Sequence, residues 1–149
     1  MNRELLEKNF TSRGFKVSFF DSKEDAAAYL CGSLEGKKLA FGGSGTLKEM
    51  GLYEKLSEKN EVIWHWVNNT KETKMEALTA EVYLLSANGV SEKGDLVNID
   101  GAGNRLAASL FGPGKVIYVI GKNKIEKDLE SAMYRARNVA SPQNAMRFG

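Results

Sequence analysis

Two glycine-bearing segments of the chain carry the strongest chemical signal. Gly42, Gly43, Ser44, Gly45 and Thr46 follow an apolar run and open a helical pattern. Glycines in such a loop let successive backbone N–H groups face one point, and the helix start adds partial positive charge, so a phosphate or carboxylate suits it. Thr46 with Glu49 also fits a T-x-x-E capping box, a use that needs no ligand. The Gly-Lys-Ser/Thr of a nucleotide P-loop is absent. The second segment runs Asp100, Gly101, Ala102, Gly103, Asn104, Arg105, and Leu106 stands where a dinucleotide fingerprint needs glycine. It has two readings. In one, Asp100 caps the coming helix and pairs with Arg105. In the other, Arg105 and nearby N–H groups hold an anionic ligand while Asp100 or Glu92 handles protons. Ser86, Asn88 and Lys122 sit just past two further apolar runs and complete the candidate set.

The remaining reactive side chains point to packing. His65 is the only histidine and Cys31 the only cysteine, so the chain has no Cys/His metal set and no internal disulfide. Alternation along 61–67 puts Trp64 and Trp66 on one face and His65 on the other, a half-buried imidazole opposite two packing indoles. Cys31 falls within an alanine-rich helical stretch and reads as an inert, packed thiol. The 21 basic and 19 acidic residues leave a charge of +2, far from the cationic excess of a nucleic-acid binder. No apolar run approaches the roughly 20 residues of a membrane span, and the first ten residues lack the apolar core of a secretory signal. The expected setting is the cytoplasm.

The elements that must position these residues alternate between β-rich and helical patterns, the signature of a parallel sheet with crossover helices. The expected strands lie at 16–20, 37–42, 61–67, 81–86 and 115–121. Helical patterns fall near 3–13, 23–34, 46–56, 70–80, 104–111 and 125–139, and Ser141-Pro142 is expected to stop the last. Lys93-Gly94 between two short β-runs predicts a hairpin at 88–99 appended to the sheet. The expected architecture is α/β: a single Rossmann-like, mostly parallel sheet flanked by helices in one domain over 1–149. In such sheets ligands settle outside the carboxyl ends of the strands, where the two glycine-bearing segments also fall.

The stretches GGSGTLKEMGL, SANGVSEKGDLVNIDGAGNRLAASLFGPGKVIYVIGKNKI and RNVASPQNAMR resemble the lactate-utilisation (LUD) domain family along essentially the whole chain. The resemblance implies a fold like that of ribose-5-phosphate isomerases and acyl-CoA transferases. It also implies a link to lactate oxidation alongside iron–sulfur oxidoreductase partners, with no reaction assigned to this short branch. The sequence departs from the family in two places. Gly45 stands where relatives usually carry a bulky residue, and the cysteine-rich tail of many relatives is absent after Asn144-Ala145. The acids and the lysine of the isomerases have no counterpart either, since Ser86 and Asn88 stand where the acids would and Ile99 or Asp100 where the lysine would. Two functional expectations follow. One is a small-molecule-binding component that takes a carboxylate, phosphate or CoA-like ligand; the other is a scaffold acting through protein partners. A homo-oligomer is expected because most soluble assemblies are symmetric.

Overall fold

A computed structural model describes residues 1–148. In chain order the elements are α1 (Arg3–Thr11), α2 (Lys23–Ser33), β1 (Lys38–Phe41), α3 (Gly45–Glu49), α4 (Leu52–Ser57), β2 (Glu61–Trp64), α5 (Lys71–Ala77), β3 (Val82–Leu85), β4 (Gly89–Ser91), β5 (Leu96–Val97), α6 (Asn104–Leu110), β6 (Lys115–Tyr118), β7 (Ile125–Glu126), α7 (Leu129–Arg135) and α8 (Ser141–Phe148). A 3-10 turn (Lys122–Lys124) precedes β7, and a π-helical turn (Ala136–Ala140) joins α7 to α8. The chain forms two compact units. The larger comprises residues 19–86 and 100–119, and the smaller 1–18, 87–99 and the residues from Ile120 onward.

The larger unit is the expected parallel sheet, in the order β2-β1-β3-β6 with every pairing parallel. Its central strands are apolar from Leu39 to Phe41 and from Val82 to Leu85, because a parallel sheet with helices on both faces has no solvent side. All four residues of β3 are buried. Alternation splits the core in two. Leu39, Phe41, Val82 and Leu84 pack under α2, α3 and α4 with Leu47, Leu52 and Leu56. Ala40, Ile63, Tyr83 and Leu85 pack on the other face with Ala77 of α5 and Ala108 of α6. Each leucine sealed this way contributes about 1.5–3 kcal/mol. Because β1 leads to β2 on one side and its other neighbour is β3, the order reverses between β1 and β3. That is the switch point where doubly wound sheets open a crevice.

The smaller unit holds the appended hairpin. β4 pairs antiparallel with β5 and parallel with β7, giving a three-stranded mixed sheet in the order β5-β4-β7. A Cβ on Gly89 would strike the carbonyl of Ala132, so this glycine lets α7 lie directly against β4. No helix among the described residues is long and apolar enough to cross a membrane.

Several elements differ from expectation. Residues 16–20 form no strand. Aromatics in and beside this stretch serve helices instead: Phe15 meets Phe10 edge-on and Phe20 packs on Tyr29. The helical stretch 46–56 is two short helices broken at Gly51, whose φ of 63° is left-handed. β2 ends at Trp64 because Val67 and Asn68 turn back to donate to its carbonyl. Ser141-Pro142 does not stop the last helix. Ser141 N–H reaches five residues back to the Ala136 carbonyl, and the widened turn carries the chain past a proline that has no N–H to give. Ile125 lies in β7, and the helix starts at Leu129 behind the cap Asp128.

Candidate functional site

The carboxyl-end rim of the four-stranded sheet is built by three connections. The first leaves β1 through Gly42 and Gly43, two glycines required for space. A Cβ on Gly42 would come within 2.9 Å of Arg105 Cγ, and one on Gly43 within 2.8 Å of Trp66 Nε1. Gly42 N–H continues the ladder to the Leu84 carbonyl, and Trp64 Nε1 donates to the Gly42 carbonyl. Ser44, 5% exposed, is the cap of α3, and its hydroxyl accepts from Leu47 N–H at 3.2 Å. The Thr46–Glu49 capping box is therefore overturned. The helix starts at Gly45, one residue before Thr46, and Glu49 faces Lys23 at 3.5 Å.

The second connection follows β3, where Ser86 is buried. The third is the Asp100-to-Arg105 turn. Gly103 takes the left-handed φ of 79° at the cap of α6 and has no side chain to cap with. Asp100 reaches in from three residues upstream and accepts from Leu106 N–H at 2.7 Å and Arg105 Nε at 2.8 Å. Both side chains are nearly sealed, at 8% and 10% exposure. Arg105 Nη1 extends to the Ser86 carbonyl at 3.4 Å. One guanidinium thus touches all three connections, lying against Gly42 by its stem and against Asp100 and Ser86 by its head. Gly101 is exposed, and Asn104 is the half-buried first residue of α6.

Asp100 is itself the anion at this helix start. Asp100 caps α6 and pairs with Arg105, contacts that the first of the two sequence readings expects. Its charge adds to burial in pushing the Tyr83 phenol well above its ordinary value. Sequence alternation missed His65 and Trp66 as neighbours of this rim, because the strand ends before them. The His65 ring lies beside Trp66 at 6.5 Å, and its Nε2 is 3.3 Å from where a Cβ on Gly43 would sit. Burial, then repulsion from Lys74, lowers its pKa against the opposing effects of Asp100 and a hydrogen bond to the Phe41 carbonyl. The imidazole is neutral at pH 7. Trp64 and Trp66 do share a side and stack at 5.2 Å.

Asn88 and Lys122 belong to the smaller unit. Asn88 Oδ1 accepts from Ile99 N–H, its carbonyl accepts from Arg135, and Lys122 opens the 3-10 turn with its side chain exposed. Glu92, weighed from sequence as a proton-handling group, is engaged there by Asn2 N–H at 2.6 Å. Among the described residues no cluster of three His, Cys, Asp or Glu side chains is placed to hold a metal. An open cleft of about 340 Å³ lies at the opposite, amino-end rim of the sheet, lined by Cys31, Leu34, Lys55, Leu56, Lys59 and Asn60. Asn60 is spent there on structure, bonding Leu34, Leu56 and Lys37.

A doubly wound parallel sheet with glycine-rich connections at its switch point defines the class. The LUD domain family model matches residues 3–149, and the chain belongs to that family. That membership supports a general association with lactate utilisation. A search of curated proteins returned no match.

Proposed function

We propose that the chain is a small-molecule-binding component of hydroxy-acid utilisation. Its ligand is a small anion with a carboxylate, phosphate or CoA-like group, taken at the carboxyl ends of β1 and β3. The observation that carries this reading is the convergence of the Gly42–Gly43, Ser86 and Asp100 connections on Arg105 at the switch point of the sheet. The Asp100–Arg105 pair presents a fixed dipole rather than a bare cation, and beside it stand a neutral imidazole and an indole N–H. This set suits a ligand that brings a hydroxyl as well as a charge, as a 2-hydroxy acid does. The test is a thermal-shift series with lactate, glycolate, inorganic phosphate and coenzyme A on wild type, His65→Gln and Gly43→Ala. Saturable stabilisation following RT ln(1 + [L]/Kd), lost when a methyl group at position 43 displaces Trp66, supports the site. A folded wild type that none of the four stabilises overturns it.

One observation favours a second reading, in which the chain acts by docking on an iron–sulfur oxidoreductase or on a second copy of itself. Leu110 and Phe111, at the end of α6, are 83% and 86% exposed. Association that disappears in the Leu110→Ser, Phe111→Ser double variant on size-exclusion light scattering favours it, and a monomer that captures no such oxidoreductase counts against it.

A further inference from the structure

Among the described residues two arginines are buried, Arg105 and Arg135, and of these only the first has a counter-charge there. Arg135, the last residue of α7, is 8% exposed. Its Nε donates to the Asn123 carbonyl at 3.0 Å and its Nη1 to the Asn88 carbonyl. No carboxylate among the described residues pairs with it. A guanidinium carries five donor hydrogens, so three remain. Nη2 makes no hydrogen bond among the described residues, yet it is not sealed from solvent. Withdrawing an unpaired charge from water is costly, and an anion bound to the guanidinium would offset that cost.

The surrounding elements hold this side chain in place. Gly89 admits α7 directly onto β4, and Ala132, Arg135 and Ala136, spaced three and four apart, share the packed face. The Lys122–Lys124 turn delivers the Asn123 carbonyl to Nε. The π-helical turn begins at the next residue, a local widening found frequently at functional sites.

We propose that Arg135 anchors an oxyanion-binding site in the smaller unit, with its outer Nη1–Nη2 edge accepting a carboxylate or phosphoryl group. The planar fork matches two acceptor oxygens, and the two carbonyls fix its orientation before the ligand arrives. The proposal uses none of the rim residues around Arg105 and stands apart from the reading given above.

The full chain is titrated with inorganic phosphate and separately with lactate, following the arginine side-chain NMR resonances and melting temperature of wild type, Arg135→Lys and Gly43→Ala. The expected result is a saturable shift of the Arg135 resonance by one of the two anions. In Gly43→Ala, which removes the rim site, the Arg135 resonance shift persists, and adding Arg135→Lys to that variant, which keeps the charge and loses the fork, lowers the affinity read from melting temperature at least tenfold. Whichever anion binds more tightly assigns the group as carboxylate or phosphoryl. Should Arg135→Lys fail to fold, the wild-type resonance titration decides alone. A folded wild type whose Arg135 resonance is unmoved by either anion overturns the proposal, as does binding to Gly43→Ala that adding Arg135→Lys leaves intact.

Discussion

At the residue scale, the turn from Asp100 to Arg105 was partly legible in sequence. An acid five positions ahead of an arginine at a helix start is a plain signal, and the pair forms at 2.8 Å. That Arg105 would also lie across Gly42 was not legible, since it depends on strand order. The Asp100 carboxylate neutralises a guanidinium sealed in the same site, so removing it leaves a buried charge behind. Asp100→Ala should cost about 3–5 kcal/mol in urea denaturation, and a loss below about 1 kcal/mol would mean that water reaches Arg105 freely. His65 gives a pH prediction with a fixed sign. Its folded pKa is lowered, so below pH 6.5 the unfolded chain binds the extra proton more readily. Stability is fully present above about pH 6.5 and falls as pH drops through the folded value. As His65 is the only histidine, His65→Gln should flatten that slope in denaturation curves collected between about pH 5 and 7. An unchanged slope would place the responsible proton elsewhere.

At the element scale, periodicity revealed the existence of most elements and misjudged their ends. The 16–20 run alternates like a strand but forms none; Phe20 within it packs on Tyr29 of α2, and Phe15 just before it meets Phe10 of α1. The Thr46–Glu49 box read from sequence gives way to Ser44, also a good cap, whose hydroxyl accepts from Leu47 N–H and starts the helix at Gly45. Ser44→Ala should therefore cost about 1 kcal/mol. Glu49→Ala, which a capping box would make comparably damaging, should change stability by less than about 0.5 kcal/mol by chemical denaturation. The reverse ranking would restore Thr46 as the cap. Pro142 read as a stop because the usual i-to-i−4 ladder cannot include it, yet a five-residue register can.

At the scale of the whole molecule, the parallel sheet and the hairpin at 88–99 were both readable from sequence. The third partner of the hairpin was not, since β7 is two residues long and carries no pattern of its own. Strand position sets local stability. Amide protons in β1 and β3, flanked on both sides and buried, should exchange slowest, and those of β5 fastest, in native-state hydrogen exchange. Faster exchange in β3 than in β5 would contradict the architecture. Each unit is also assembled from separated stretches of chain. During synthesis, everything the larger unit needs has been made once Val119 leaves the ribosome, whereas β4 must wait for β7 and α7, encoded later still. The nascent hairpin is therefore an orphan for that interval, with its edge open to mispairing, and truncated messages should yield products that keep the main sheet and aggregate through residues 89–97.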